Sequence, residues 1–335
     1  MPSMRTEITE LGTGLGMLGY DTAERALVHR PREFCDVDDA TWNRLAATAD
    51  QPDHRIDFAG AFQNGQVFFA SDDGLRGRKP LTIEWKGGHR ATTSDAVPVD
   101  LRVDHVFLIS CKYASRILLN AAPATLFGGG PHVRTSEPSG DWFTEVSPAA
   151  HQALYEAVRA DLADARLPPF VGDLARHHRQ ILKADLRSFE WSGQCQAAYL
   201  ELALDAGAAS ATRWRASLAT KRQREAQLWR LLRIGDAPYY VLGSSKERSL
   251  RLRVTTPWDW RRRFEFKDLE VWGEDAGQPR VAWRATVRDH ESGNDRSVDG
   301  HVEVRWSHGR FAQSPEAKVY LDTPHHEVPG YLPLR

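Results

Sequence analysis

The chain has 335 residues, of which 41% are hydrophobic and 27% are charged, which is ordinary for a globular protein and sufficient for two domains with buried cores. The formal net charge is −1, but it is unevenly spread along the chain. Three scattered cysteines without a CxxC pair argue against a disulfide framework or zinc site and favour the reducing cytoplasm. Neither an N-terminal signal region nor an apolar run of 18 residues is present, so no contact with a membrane is expected.

The N-terminal part begins with a glycine-rich stretch, LGTGLGMLGY at residues 11–20. It contains a literal GxGxxG at Gly14, Gly16 and Gly19, but no hydrophobic strand precedes it, as a dinucleotide site requires. We therefore predict a flexible glycine turn. A short helix is expected at 21–30, and a firmer one at 38–49 follows aspartates that suit a helix N-terminus.

A β-rich region is predicted next. Residues 55–62 and 66–70 flank Gln63-Asn64-Gly65, and an Asn-Gly pair between apolar runs is a strong hairpin signal. Two further apolar runs, 81–85 and 103–110, read as strands, and residues 113–120 have a helical composition.

The rest of the chain divides into a helical and a β-rich part. Residues 147–165, 172–186 and 190–204 are predicted helices, and Thr212–Arg233 reads as a long basic helix. Strand patterns follow, with clear alternation in Arg280–Asp289. We therefore expect two domains: an α/β domain with a helical extension at residues 1–210, and a basic helix plus β-rich domain at 211–335.

Charged residues end both strand-like runs of the first domain. Lysines follow them at Lys86 and Lys112, and acids lie close by at Glu84, Asp100 and Asp104. Charges next to a core are costly unless they are paired or bind a metal. Carboxylates that hold a divalent cation beside a lysine are a common arrangement for phosphodiester hydrolysis. The alternative is a set of surface ion pairs, each contributing about 0–1 kcal/mol.

Residues 38–121 resemble the PD-(D/E)xK nuclease superfamily, which includes restriction and repair endonucleases. The resemblance implies an acid on the second strand of a three-strand meander and an acid-x-lysine on the third. Two assignments remain open. In one, Glu84-Trp85-Lys86 is the acid-x-lysine, with Asp72, Asp73 or Asp57 as the upstream acid. In the other, Lys112 is the lysine, Glu84 the acid of the preceding strand, and Ser110 stands where the family has a carboxylate.

The resemblance implies a restriction-endonuclease-like mixed sheet flanked by helices, followed by a helical middle segment and a second, β-rich domain. It also implies a Mg²⁺- or Mn²⁺-dependent endonuclease, acting in restriction or phage defence. The implied catalytic residues are Glu84, Lys86, Asp104 and Lys112. The implied metal ligands are Glu84, Asp104, Asp100 and Asp73. The alternative is a non-catalytic nucleic-acid-binding protein with a degenerate core.

A basic segment lies at Ala211–Lys267, which contains 15 Lys and Arg but only 5 Asp and Glu. Such a segment on a neutral protein predicts contact with a polyanion, here double-stranded DNA. The expected contacts are Arg251, Arg253, Trp258, Trp260, Arg261, Arg262 and Arg263. The competing interpretation is a charged outer strand that discourages edge-to-edge pairing. The sequence leaves a homodimer open.

Overall fold

The computed structural model describes residues 3–49, 51–87, 97–113, 117–128, 140–244 and 249–335. Within these ranges the protein is mixed α/β, with a seven-stranded mixed sheet and a separate five-stranded antiparallel sheet. This confirms the predicted class. None of the helices in these ranges is both long enough and apolar enough to span a membrane.

The α-helices of the described residues are α1 (Met4–Gly16), α2 (Ala23–His29), α3 (Asp39–Ala49), α4 (Pro52–Ala70), α5 (Pro123–Phe127), α6 (Trp142–Val146), α7 (Pro148–Leu162), α8 (Arg176–Asp185), α9 (Gly193–Ser217), α10 (Lys221–Leu231) and α11 (Pro257–Arg263). The strands are β1 (Phe34–Cys35), β2 (Ile83–Trp85), β3 (Leu101–Val103), β4 (Phe107–Lys112), β5 (Ile117–Ala121), β6 (Tyr239–Ser244), β7 (Ser249–Val254), β8 (Phe264–Asp275), β9 (Pro279–Asp289), β10 (Asn294–Arg305), β11 (Glu316–Leu321) and β12 (Tyr331–Pro333).

Two compact units share the chain, and each draws on separate stretches of sequence. Unit 1 comprises Met1–Arg116, Arg233–Phe264 and Pro324–Arg335, and unit 2 comprises Ile117–Leu232 and Glu265–Thr323. This division differs from the expected boundary at residue 210. The reason is long-range strand pairing, because β4 of the first stretch pairs in parallel with β6 of the second.

The sheet of unit 1 has the order β1-β2-β3-β4-β6-β7-β12. β2, β3 and β4 form an antiparallel meander, and β6 then runs parallel to β4. The apolar run 103–110 is therefore not one strand. It is broken by a tight turn between β3 and β4, with Val106 N donating to Val103 O at 3.0 Å.

Helices α1 and α4 pack against each other through glycines. A Cβ atom at Gly16 would lie 2.0 Å from Phe62 O, and one at Gly65 would lie 2.0 Å from Thr13 O. Residues 11–16 of the glycine-rich stretch, including Gly14 and Gly16, thus belong to α1, and the turn is confined to residues 17–19, where Gly19 has a φ of 74°. The predicted hairpin at 55–70 is also wrong: Asn64-Gly65 lies inside α4, where Gly65 permits a close approach of two backbones.

The sheet of unit 2 has the order β5-β11-β10-β9-β8, and α9 packs on β9. The alternation predicted for β9 is confirmed, since Val281, Trp283, Ala285 and Val287 are all buried. The helices predicted at 147–165, 172–186 and 190–204 correspond to α7, α8 and α9. The helix predicted at 113–120 is wrong: 114–116 lie outside the described residues, and β5 follows.

Candidate functional site

The turn between β3 and β4 fixes Asp104 by hydrogen bonds. Asp104 and His105 both have left-handed backbone conformations, with φ of 48° and 58°. One carboxylate oxygen of Asp104 accepts from the backbone N–H groups of Leu81 (2.7 Å) and Thr82 (3.0 Å), and the other accepts from Arg78 (2.7 Å). Burial raises the pKa of Asp104, but these hydrogen bonds outweigh it and leave the pKa below its ordinary value. Asp104 therefore ties the hairpin to the segment before β2.

Glu84 of β2 is the centre of an ion-pair cluster. Its Oε2 accepts from Lys86 Nζ at 3.0 Å and from Arg102 Nε at 3.0 Å, and its Oε1 lies 2.8 Å from His105 Nδ1. The hydrogen bonds from Arg102, and then from Lys86, hold the pKa of Glu84 at about 2. Both oxygens are therefore used within the fold, although the local letters Glu84-Trp85-Lys86 match the acid-x-lysine pattern.

We expect Glu84→Gln to remove a source of stability that depends on pH. The ordinary pKa of 4.5 applies to the unfolded chain, and the folded value is about 2. The ionised carboxylate therefore stabilises the fold fully above about pH 5, and the gain is lost as pH falls from about 4.5 towards 2. Urea unfolding between pH 7 and pH 3 should show the variant less stable at pH 7, with the difference shrinking at low pH. Glu201→Gln, at an exposed position of α9, is the control. A difference that stays constant with pH contradicts this assignment.

Asp100 and the end of β4 form a second polar cluster. Asp100 immediately precedes β3, and its Oδ2 accepts from Cys111 N at 2.7 Å and from Ser110 Oγ at 3.4 Å. Its backbone carbonyl accepts from Lys86 N at 2.9 Å. Asp100 and Ser110 are both buried, and Lys112 lies two residues beyond Ser110, on the same side of the strand. The acid that accepts a hydrogen bond from Ser110 is thus Asp100.

Helix α1 adds a buried acid that was not predicted. Glu10 is buried and accepts from Trp85 Nε1 at 2.7 Å. Burial raises the pKa of the Cys111 thiol well above its ordinary value, and the charges of Asp100 and Glu10 raise it further. Cys111 is therefore a neutral thiol and no nucleophile at neutral pH. The sequence signal for Glu10 is an acid among apolar residues with helical spacing, Ile8, Leu11 and Leu15. The prediction of a turn at residues 11–20 meant that this spacing was not read as a helix.

Each of the four expected metal ligands accepts hydrogen bonds from groups of the protein itself. Glu84 and Asp104 bind the separate partners described above, and Asp73 Oδ2 accepts from the backbone N–H of Arg335 at 3.0 Å. In the part of the chain that the structure describes, no three His, Cys, Asp or Glu side chains are placed to hold a metal ion together. Asp100 and Glu10 are the two carboxylates whose charges raise the pKa of the Cys111 thiol.

The arginines of β7 are half-buried and do not form an open basic face. Arg251 Nε donates to Asn64 Oδ1 of α4 at 3.0 Å, and Arg253 lies 3.9 Å from Asp73. β7 is also not an edge strand, because β6 and β12 pair with its two sides. Both the expected solvated basic face and the alternative of edge protection therefore differ from the structure.

Helix α11 carries the exposed part of the basic segment. Trp258 is 77% exposed, whereas Trp260 is 1% exposed and belongs to the core. Arg261, Arg262 and Arg263 are exposed in the last turn. Trp258, Arg261 and Arg262 have i, i+3, i+4 spacing and share one face of the helix. This face, defined here as the α11 face, presents an aromatic ring beside two guanidinium groups.

Lys246 and Arg248 of the basic segment lie outside the described residues. Comparisons with protein-family models, with curated proteins and with solved structures found no match.

Proposed function

We propose that unit 1 is a metal-dependent nuclease that hydrolyses phosphodiester bonds of DNA. The observation that carries the proposal is the position of Asp100, hydrogen-bonded to Ser110 and Cys111 at the end of β4, with Lys112 next along the strand. The order of the strands supports it, since a meander followed by a parallel strand is compatible with a restriction-endonuclease-like core. The corresponding biological role is restriction of foreign DNA.

Asp100 and Glu10 are the groups proposed to hold Mg²⁺ or Mn²⁺. Mg²⁺ is commonly bound by one or two carboxylates together with substrate phosphates, so a two-carboxylate site suits it. A cation held there would supply Lewis-acid stabilisation of the phosphoryl oxygens. Lys112 contributes a positive charge next to the site, in the role of a group that orients and polarises the attacking water. In this proposal Glu84, Lys86 and Asp104 support the hairpin.

The α11 face supports DNA as the substrate. In protein–DNA complexes, arginines that contact phosphate oxygens fix the position of the protein on the duplex. An exposed tryptophan beside them can stack on bases or pack on sugars. Because it lies in the same unit as Asp100, one compact body contains both the proposed site and the proposed contacts.

The test is cleavage of a panel of modified and unmodified duplexes by the purified protein with Mg²⁺ or Mn²⁺. We expect cleavage that chelator stops, loss of at least about 10²-fold in Asp100→Asn, and near-normal activity in Glu84→Gln, because only the first removes an interaction made in the transition state. Activity in Asp100→Asn with loss in Glu84→Gln would show that Glu84 is the ligand.

A second candidate is nucleic-acid binding without hydrolysis. Ser110 favours it, because a hydroxyl occupies the place where the resembled family has a metal-binding carboxylate. The same panel separates the two candidates. Binding in chelator that Arg261→Ala/Arg262→Ala weakens, with a salt slope lower by about 1.8, and no cleavage under any condition, would favour this candidate and contradict the nuclease.

A further inference from the structure

Two cavities of unit 2, which the proposed nuclease site does not use, adjoin one short segment of chain. The first, of about 410 Å³, is lined by Arg176, Arg179, Gln180, Lys183, Ala312 and Gln313. The second, also about 410 Å³, is lined by Phe189, Trp191, Gln196, Tyr199, Leu200 and Arg310. Arg310 lines one cavity and Ala312 the other, and two residues of chain separate their Cα atoms by at most about 7 Å. The two cavities are therefore neighbours. We name them the basic cavity and the aromatic cavity.

The basic cavity takes its charge from one face of α8. Arg176, Arg179 and Lys183 have i, i+3, i+7 spacing, which places them on the same side of the helix. Arg179 is fixed, because its Nη1 donates to Phe311 O at 2.9 Å and its Nε to Leu174 O at 3.2 Å. Arg176 and Lys183 are exposed, and no carboxylate of the described residues forms a salt bridge with either. The face therefore presents two cations, Arg176 and Lys183, beside the fixed Arg179.

The aromatic cavity combines ring faces with hydrogen-bond donors. The guanidinium of Arg310 lies 3.9 Å from the centroid of the Trp191 ring, and Tyr199 contacts Trp191 edge-on with centroids 5.3 Å apart. Trp191 Nε1 is buried and has no hydrogen-bond partner in the residues that the structure describes. Among the residues that the structure describes, no carboxylate forms a salt bridge with Arg310, whose pKa partial burial lowers.

This combination fits a nucleobase better than an aliphatic side chain. A base has a flat face that stacks on rings and guanidinium planes, and its edge carries acceptors for N–H donors. An aliphatic side chain would leave Trp191 Nε1 without a partner, which is costly because that atom is buried. Bases inside a duplex do not expose their faces, so the nucleic acid that fits this cavity has unpaired bases.

We propose that unit 2 binds single-stranded nucleic acid, with a base in the aromatic cavity and adjoining phosphates on α8. Cations that follow a backbone beside rings that stack bases are the general arrangement for such binding. The site is independent of the nuclease proposal, because all of its residues lie in unit 2 and it requires no cleavage.

The test uses fluorescence anisotropy of 20-nucleotide oligothymidine and oligouridine probes with the full chain, in chelator at low salt. Leu200 lines the aromatic cavity and is 48% exposed, whereas Leu204, one turn further along α9, is 49% exposed and does not line it. We expect Leu200→Glu to weaken binding about tenfold or more, within the range for loss of base stacking. Leu204→Glu should change it less than about twofold. Both sites are exposed, so both variants should fold. Equal effects of the two changes would overturn the proposal.

The contribution of phosphates is measured through the salt dependence. Arg176→Ala/Lys183→Ala should lower the salt slope by about 1.4, since each single-strand phosphate contact contributes about 0.7. Arg32→Ala/Arg55→Ala removes the same charge from exposed positions of unit 1 and should leave the slope unchanged. An unchanged slope in the first variant would overturn the proposal.

The contribution of the base is measured with an abasic probe of the same length. The wild-type protein should bind it about tenfold more weakly than oligothymidine, and Leu200→Glu should abolish that difference. Equal wild-type affinity for both probes, or no binding of either single strand, would overturn the proposal. Binding of oligothymidine alone would identify single-stranded DNA as the ligand, and binding of oligouridine alone would identify RNA. Binding of both would show that the site accepts either strand. A chain that binds here and cleaves nothing would contradict only the nuclease.

Discussion

Replacing Gly65 with alanine should destabilise unit 1 by about 3 kcal/mol or more, at the upper end of what overpacking costs. The added methyl group would lie 2.0 Å from Thr13 O and 2.9 Å from Gly16 Cα, and both are backbone atoms that move only if α1 and α4 separate. Gly16→Ala should have a similar effect, because its methyl group would meet Phe62 O at 2.0 Å. Thermal unfolding followed by circular dichroism, together with the soluble yield, measures both effects.

The matched control is Gly60→Ala on the same helix. Apart from its own helical turn, no atom of the described residues lies within 4 Å of the position of its Cβ, so the change should be neutral or stabilise α4 by up to about 1 kcal/mol through helix propensity. If Gly65→Ala unfolds at the wild-type temperature, the close contact between α1 and α4 is wrong. If Gly60→Ala is equally destabilised, the effect belongs to α4 as a helix and not to its contact with α1.

Lys112→Ala should lower DNA cleavage by about 10²–10³-fold while leaving DNA affinity almost unchanged, because it removes an electrostatic group that acts mainly in the transition state. Lys86→Ala should change turnover by less than about threefold. Lys86 pairs with Glu84, which keeps Arg102 and His105 as partners, so stability should fall by about 1 kcal/mol or less. Single-turnover cleavage and binding in chelator separate the two readouts.

The opposite pattern would identify the other assignment. Should Lys86→Ala be inactive while Lys112→Ala cleaves normally, Glu84-Trp85-Lys86 is the catalytic motif and the Asp100 cluster is structural. Equal loss of cleavage and of binding in Lys112→Ala would make Lys112 a DNA contact and not a residue that acts in turnover.

The sequence predicts correctly those elements whose signals lie within the element itself, such as hydrophobic periodicity and helix-start residues. β9 alternates because one face of its sheet is buried, and α7 begins after Ser147 with a proline in its first turn. α4 was predicted as a hairpin because Asn64-Gly65 has the composition of a turn. The reason for that glycine, a contact with α1, is tertiary and leaves no local signal.

The candidate site was predicted only in part, for the same reason. The sequence identified the region of Asp100, Ser110 and Lys112, but the match of Glu84-Trp85-Lys86 to a familiar letter pattern gave Glu84 more weight than Asp100. Which acid lies beside Ser110 depends on the turn at Asp104 and His105, where two non-glycine residues adopt left-handed conformations. Hydrophobic patterns do not encode such a turn.

The interleaving of the two units has a consequence for synthesis on the ribosome. β4 ends at Lys112, and its parallel neighbour β6 begins at Tyr239, so the edge of β4 has no partner strand until that part of the chain emerges. At bacterial or eukaryotic elongation rates the interval is roughly 6 to 25 s. Throughout it the nascent chain carries an open strand edge, which can pair with other chains. Unit 2 can complete its five-stranded sheet only after β11 has been made, so neither unit can finish folding before most of the chain is made.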